Sequence, residues 1–240
     1  MAAVAAENVL REFGPFAGHP EGTVTLRRLA RTKPDCFIAN GHQIDTLRLL
    51  SELKVLTSAQ IAALRGIQPR TMKDNLRHMW LAGLVDRLET DISPCMYAVG
   101  YESARLLRLT LERFSVGSAF RLVAANQLYV AMRRLWPEVD YTAAPHDGVT
   151  AQARLGSTTY AILAPRLFPG DVVWCEEMIE YVPDDMRLLV VCASRKQAEE
   201  IARAVAPEAM ARFTWDTELA NGLRLYKRFA GSLEIAENYA

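Results

Sequence analysis

Apolar residues recur at helical spacing between positions 61 and 80 and then form two short runs that end at Val99. The pattern predicts a short helix with Ile61 and Leu64 facing inward, followed by a second helix from Arg70 to about Ala82. The apolar face of the second helix would hold Met72, Leu76, Met79 and Trp80. The runs 84–89 and 95–99 predict two strands, because turn-forming residues separate them.

Four residues mark where these helices begin and end. Thr57 can cap the first helix while Gln60, three residues later, bonds back to the cap. Gly66 stands where a left-handed residue would end that helix. Pro69 has the fixed backbone angle that suits the first position of a new helix. The two helices are therefore expected to be joined by a tight turn at 67–68.

Flanking patterns complete a compact unit. Ile44, Leu47, Leu50 and Leu53 predict a helix upstream, whereas Ala104, Leu107 and Leu111 predict one downstream that could close the domain or carry a dimer contact. Three helices followed by a hairpin are the chain order of a winged helix-turn-helix, which is a DNA-binding module. We expect this domain to span 42–115.

The polar face of the helix from Arg70 to about Ala82 carries the candidate site. Its residues hydrogen-bond phosphates and base edges in protein–DNA complexes. Gln68 and Thr71 could reach base edges, while Lys73 and Arg77 would contact phosphates or a guanine. The hairpin carries Asp86, Glu89 and Asp91, which would repel phosphates. The helix from Arg70 to about Ala82 and Arg87 are therefore expected to make the contacts instead of the hairpin tip. The full set of candidate residues is Gln68, Arg70, Thr71, Lys73, Asp74, Arg77, His78 and Arg87.

Two alternatives stay open for the first part of the chain. A winged helix can also serve as a protein-interaction module, and a charged helix face is often only a solvated surface. The N-terminal extension, 1–41, holds a basic cluster made of Arg27, Arg28, Arg31 and Lys33. That cluster could be a DNA-contacting arm, but a solvated face that packs through Leu26, Leu29, Phe37 and Ile38 is favoured.

A second pattern begins near residue 116, where we place a domain boundary. It predicts a helix at 119–136, strands at 149–155 and 158–163, a helix at 172–181, and a buried strand at 187–193. A helix through 198–205, a strand at 211–215 and a β stretch at 223–229 follow. Residues 116–240 are therefore expected to form a small α/β domain, which makes the whole chain α+β.

A metal-dependent nuclease is the natural enzyme hypothesis for an α/β domain behind a DNA-binding module. Asp147 could be its first carboxylate, but the next strand, 159–164, offers neither a second carboxylate nor a lysine. Glu176 and Glu177 are expected on a solvated helix face, and Cys192 as a buried small hydrophobe. We predict no catalytic residue, metal or cofactor, with an active nuclease kept as an alternative. Trp174, Trp215 and Tyr226 are expected to be core or interface anchors.

Composition changes the picture only slightly. Half of the 240 residues are hydrophobic and the formal net charge is zero. Residues 42–114 hold ten Lys and Arg against eight Asp and Glu, whereas 115–240 hold thirteen against sixteen. The four cysteines and four histidines do not cluster, so no zinc site is predicted. The start lacks the pattern of a signal peptide and no long apolar stretch follows, which predicts a cytoplasmic protein with no membrane contact.

The chain resembles the plasmid replication-relaxation family, which joins a winged helix to a restriction-endonuclease-like domain. The resemblance covers 42–216 and rests on the winged-helix segment 50–99 with its exit 97–101, on Asn126, on Asp147-Gly148, and on the strand 188–193 leading into a helix. It implies a role in plasmid or mobile-element replication, DNA relaxation or transcriptional control. The implied partners are double-stranded DNA, a second copy of the chain, and replication or relaxation proteins. Because Ala161-Ile162-Leu163 replaces the family's acidic pair, the second domain is expected to be inactive.

Overall fold

The protein has an α+β fold, seen in a computed structural model that describes residues 25–31, 40–91, 95–146, 148–166, 170–205 and 211–239. These residues divide into two compact units, 25–119 and 120–239. None of the described helices has the length and apolarity needed to cross a membrane.

The first unit pairs one antiparallel sheet with a set of short helices. Its strands lie in the order β1-β3-β4-β2. The elements in chain order are β1 (Leu26–Leu29), α1 (Gly41–Leu53), β2 (Leu56–Thr57), α2 (Ser58–Arg65), α3 (Pro69–Leu81), β3 (Val85–Thr90), β4 (Met96–Val99) and α4 (Tyr101–Leu107). The predicted helices before and after the tight turn and the two predicted strands are confirmed, with ends shifted by about one residue.

The core of the first unit is built from the apolar faces of α1, α2 and α3. Each helix buries residues at helical spacing, as the sequence predicts, except that Ile44 at the start of α1 is exposed. Trp80 is the exception on α3, because it is only half-buried. The buried apolar side chains of the three helices are Leu47, Leu50, Leu53, Ile61, Ala62, Met72, Leu76 and Met79.

Strand β1 was not predicted from the sequence. Residues 26–29 pair antiparallel with β3, from Leu26 opposite Thr90 to Leu29 opposite Arg87. The Arg28 guanidinium donates to Asp86 at 2.5 Å, to the Glu112 carbonyl at 2.5 Å and to the Val99 carbonyl at 3.2 Å. Part of the expected N-terminal extension is therefore a strand of the first unit's sheet. Lys33, Phe37 and Ile38 lie outside the described residues.

The second unit is a seven-stranded mixed sheet with helices on both faces. The strands lie in the order β11-β10-β9-β8-β7-β6-β5, and only the pairs β7–β8 and β8–β9 are parallel. The elements are α5 (Val116–Leu135), β5 (Asp140–His146), β6 (Val149–Leu155), β7 (Thr158–Leu163), α6 (Gly170–Ile179), β8 (Arg187–Cys192), α7 (Arg195–Ala204), β9 (Arg212–Trp215), α8 (Asp216–Asn221), β10 (Leu223–Phe229) and β11 (Ser232–Tyr239).

Strand β8 shows why the sequence here has a continuous apolar run. Leu189 and Val191 belong to the core under α5, whereas Val190 and Cys192 belong to the core under α6 and α7. Alternate residues of a strand point to opposite faces, so a strand covered on both sides is apolar throughout. The predicted bounds of β6, β7 and β10 are confirmed, while β5, β11 and α8 were not predicted.

Candidate nucleic-acid interface

The start of α2 is fixed by the predicted capping box. The Gln60 backbone N–H donates to Thr57 Oγ1 at 3.2 Å, and the Thr57 N–H donates to Gln60 Oε1 at 2.9 Å. Both residues are buried, so these bonds satisfy polar groups that water does not reach. Gly66 ends the helix with φ 63°, in the left-handed region that favours glycine.

Arg65 and Pro69 flank the turn that joins α2 to α3. Arg65, at the end of α2, forms an ion pair with Asp45 of α1 at 2.7 Å. Pro69 occupies the first helical turn of α3, after an extended Gln68. At the other end, Gly83 has φ 70°, and Gly100 approaches it so closely that a Cβ at position 100 would lie 2.5 Å from the Gly83 carbonyl oxygen. The end of α3 is therefore packed directly against the start of α4.

Helix α3 separates its residues into two faces. Met72, Leu76 and Met79 are buried. Seven of the eight candidate contact residues lie on the exposed side of α3 or just before it: Gln68, Arg70, Thr71, Lys73, Asp74, Arg77 and His78. Arg70, Lys73 and Arg77 are spaced three and four residues apart, so they form one row along the helix. The structure thus brings the predicted side chains together on one solvent-facing surface.

The cations of this row differ from Arg28 and Lys54 of the same unit. Within the described part of the chain, Arg70, Lys73 and Arg77 have no ion-pair partner. By contrast, Arg28 pairs with Asp86, and Lys54 pairs with Glu112 at 2.7 Å. A cation already held by a carboxylate must break that pair to reach a phosphate, whereas an exposed and unpaired one only exchanges water. The α3 row is therefore available for an anionic ligand.

Arg87, the eighth candidate, does not join this surface. It is half-buried on β3, where its guanidinium contacts the Glu89 carboxylate and lies 5.0 Å from the Trp80 ring centroid. Arg31 lies over the same ring at 4.6 Å, and the Trp80 indole N–H donates to the Leu29 carbonyl at 2.9 Å. Arg87 and Trp80 thus help to hold β1 and β3 beside the end of α3.

Asp86 is not one of the exposed acidic residues that the hairpin was expected to present. This residue is buried in β3 and bound to Arg28, with burial raising its pKa against the opposing effect of that guanidinium. Glu89 is paired with Arg87. Asp91 is exposed at the end of β3, where the backbone N–H and hydroxyl of Thr25 donate to it at 3.3 and 2.7 Å and lower its pKa. The sequence could not reveal that Asp86 is paired, because its partner Arg28 lies 58 positions away.

The second unit gives little support to a metal site. Asp147 lies outside the described residues, and Glu176 and Glu177 are exposed on α6, as expected. The described segments contain no group of three or more His, Cys, Asp or Glu side chains placed to hold a metal ion. Trp215 and Tyr226 pack as a tilted aromatic pair with ring centroids 4.3 Å apart, which confirms them as core anchors.

Sequence reasoning missed a buried charge network at the carboxyl ends of the parallel strands. Arg166, which follows β7 and is 1 % exposed, donates to both carboxylate oxygens of Asp216, which follows β9, at 2.7 Å. The Arg166 backbone N–H donates to Asp171 at 2.5 Å, and Arg121 contacts the same carboxylate. Burial raises the pKa of Asp216, while Arg166 opposes the rise. Charged residues placed directly after buried strands were the available signal.

The buried cysteines beside this network are unsuited to nucleophilic chemistry. Burial is the main cause that raises the pKa of Cys175 to about 12 and the pKa of Cys192 well above its usual value. The reactive form of a cysteine is the thiolate, which such a shift suppresses at neutral pH. The interpretation of Cys192 as a buried hydrophobe is therefore confirmed.

No protein-family model, curated protein or solved structure matches this chain. Of the surfaces described above, the exposed face of α3 combines unpaired cations with hydrogen-bonding side chains on a helix whose other face is packed in the core. It is the site on which a functional proposal is best built.

Proposed function

We propose that this protein binds double-stranded DNA sequence-specifically by inserting α3 into a major groove. The observation that carries the proposal is the row Arg70, Lys73 and Arg77, exposed and without ion-pair partners among the described residues, on a helix held by α2 and by the hairpin. An α-helix fits the major groove, where arginine and lysine recognise guanine and threonine contacts either phosphates or bases. Asp74 has the chemistry to accept a hydrogen bond from a cytosine amino group.

The surrounding architecture agrees with this role. The order α1-β2-α2-α3-β3-β4 corresponds to that of a winged helix-turn-helix, with β1 as an added strand, and the second helix of such a motif is its recognition helix. Asp86 and Glu89 face Arg28 and Arg87 instead of an incoming phosphate. On the resemblance described above, the cellular setting would be replication, DNA relaxation or transcriptional control of a plasmid or mobile element, with a homodimer as the binding form.

The test is a gel-shift titration of the full chain against its own upstream duplex and a random-sequence duplex, at two salt concentrations, with and without Mg²⁺. We expect selective binding that weakens with salt, because phosphate contacts release counterions. We expect no cleavage with Mg²⁺. Binding at low salt to neither duplex would contradict the proposal and would favour a protein-interaction module. Mg²⁺-dependent cleavage that Asp147→Ala abolishes would instead establish a nuclease.

A matched pair of triple variants separates the α3 row from overall charge. Replacing Arg70, Lys73 and Arg77 by alanine removes three positive charges from the proposed interface. Replacing Lys196, Arg203 and Lys227 by alanine removes three exposed positive charges from the second unit. We expect the first variant to lose specific binding and the second to retain it. Equal losses in both would show that binding follows net charge and would contradict the role of α3.

A further inference from the structure

Helix α4 and the segment after it expose an unusual number of large apolar side chains. Leu106 is 65 % exposed, and Tyr101, Leu107, Leu109 and Leu111 are also exposed within eleven residues of chain. Three arginines lie among them. We call the set Tyr101, Arg105, Leu106, Leu107, Arg108, Leu109, Leu111 and Arg113 the α4 surface. A concentration of exposed apolar side chains in one short segment is typical of an interaction site.

The charges of the α4 surface indicate the chemistry of its partner. Arg108 and Arg113 have no ion-pair partner in the described segments, and Arg105 pairs only with the neighbouring Glu102, at 3.2 Å. This surface is therefore apolar and basic, so it would fit a partner that is apolar and acidic.

The second unit carries a surface with those properties. Val173, Glu176 and Glu177 lie on one face of α6, at positions three and four residues apart, and Glu180 directly follows the helix; all four are exposed. Tyr181, directly after them, is 67 % exposed. We call the set Val173, Glu176, Glu177, Glu180, Tyr181, Asp184 and Asp185 the α6 surface. Its five carboxylates have no ion-pair partner among the residues that the structure describes.

We infer that the α4 surface docks on the α6 surface of a second copy of the chain, forming a two-fold symmetric homodimer. Each copy carries both surfaces, so a two-fold axis produces the same contact twice. The contact has to occur twice because a specific interface buries roughly 800 Å² per partner, which is more than one seven-residue helix offers. The inference identifies the surfaces that form the dimer and does not depend on whether α3 binds DNA.

The experiment is sedimentation equilibrium of the full chain without DNA, across the micromolar range. The variants are Arg105→Glu with Arg108→Glu, Glu176→Arg with Glu177→Arg, and all four substitutions together. We expect each reversal alone to weaken dimerisation by about tenfold or more, and the combination to restore it, because opposite charges again face each other. Lys196→Glu with Arg203→Glu, an equal charge change on exposed residues outside both surfaces, should leave the dimer intact.

A third kind of variant tests the apolar part of the contact. Leu106→Ser should lower dimerisation while its circular dichroism spectrum stays that of the wild type, because this side chain is mostly exposed. A wild-type chain that remains monomeric throughout would overturn the inference. The inference would also be overturned if the variant with all four substitutions dimerised no more strongly than either double variant. Equal weakening of dimerisation by Lys196→Glu with Arg203→Glu would overturn it as well.

Discussion

Two arginines of the first unit and two of the second stand in opposite environments. In the first unit, Arg70 and Arg77 face the solvent on α3 and have no ion-pair partner among the described residues. In the second unit, Arg166 is almost fully buried against Asp216, and Arg121 is held by Asp171 and lies 3.8 Å from the Trp174 ring centroid. The same residue type is thus a candidate ligand-binding group in one unit and part of the core in the other.

The difference teaches where function can be sought in a chain of zero net charge. A buried guanidinium that loses its carboxylate becomes an uncompensated charge in a poorly solvated place, so it is bound to its partner. An exposed guanidinium exchanges water for phosphate with little penalty. Total charge does not separate these two cases, whereas burial and partners do. The α3 row is therefore identified by cations that are exposed, unpaired and aligned on one face of a helix.

The largest expected effect comes from breaking the buried ion pair between Arg166 and Asp216. Asp216→Asn should lower the free energy of unfolding by about 3–5 kcal/mol, because Arg166 loses its ionised partner while staying buried. Urea denaturation followed by tryptophan fluorescence measures the change. The matched control is Glu199→Gln, which breaks the exposed Arg195–Glu199 pair of 2.9 Å and should cost less than about 1 kcal/mol. Equal effects of the two variants would contradict the comparison.

The next effect concerns the exposed cations of α3. Arg77→Ala should weaken specific DNA binding by about 1–3 kcal/mol if the guanidinium contacts a base. Lys73→Ala should reduce the slope of the logarithm of the binding constant against the logarithm of the salt concentration by about one, if the ammonium contacts a phosphate. Arg203→Ala, which removes an exposed guanidinium from the second unit, serves as the control and should leave binding unchanged. Fluorescence anisotropy over a salt series measures all three. Unchanged binding by Arg77→Ala would remove this residue from the interface.

Elements whose signals are local could be predicted from the sequence. The Thr57–Gln60 capping box, Gly66 and Pro69 each act within a few residues, so the bounds of α2 and α3 followed from them. The exposed face of α3 followed for the same reason, since helical spacing assigns each side chain to a face.

Elements that depend on distant partners could not be predicted. The four residues of β1, Leu-Arg-Arg-Leu, resemble a basic surface segment, and they form a strand because β3 pairs with them. Asp86 appeared to be a surface acid because its partner Arg28 is far away in sequence. Arg166 and Asp216 are 50 positions apart, so their bond is visible only after the parallel strands are assembled. The candidate site was therefore easier to locate than the contacts that hold it.

A smaller effect is expected from removing a helix N-cap in each unit, Thr57 of α2 or Ser194 of α7. Thr57→Ala and Ser194→Ala each remove a side chain that accepts a backbone N–H at 3.2 Å, and each should cost about 1 kcal/mol of stability. Only Thr57→Ala should also weaken DNA binding, because α2 positions α3. Calorimetry and anisotropy on both variants make the comparison, with Thr57→Ser as the conservative control. Equal loss of DNA binding in both variants would argue against a role for α2 in placing α3.

The smallest effect is a pH dependence at the edge of the first unit. Thr25 lowers the pKa of Asp91 below 3.8 in the folded protein, so this contact contributes stability above that pH and loses it as the pH falls through the lowered value. Burial raises the pKa of Asp86 above 3.8, so its contribution declines as the pH rises through the raised value. Carboxyl NMR titration should place the Asp91 midpoint below the Asp86 midpoint. Thr25→Val should move only the Asp91 midpoint upward, because one donor is lost. An Asp91 midpoint that does not move would mean that Thr25 does not hold the start of β1 against the hairpin.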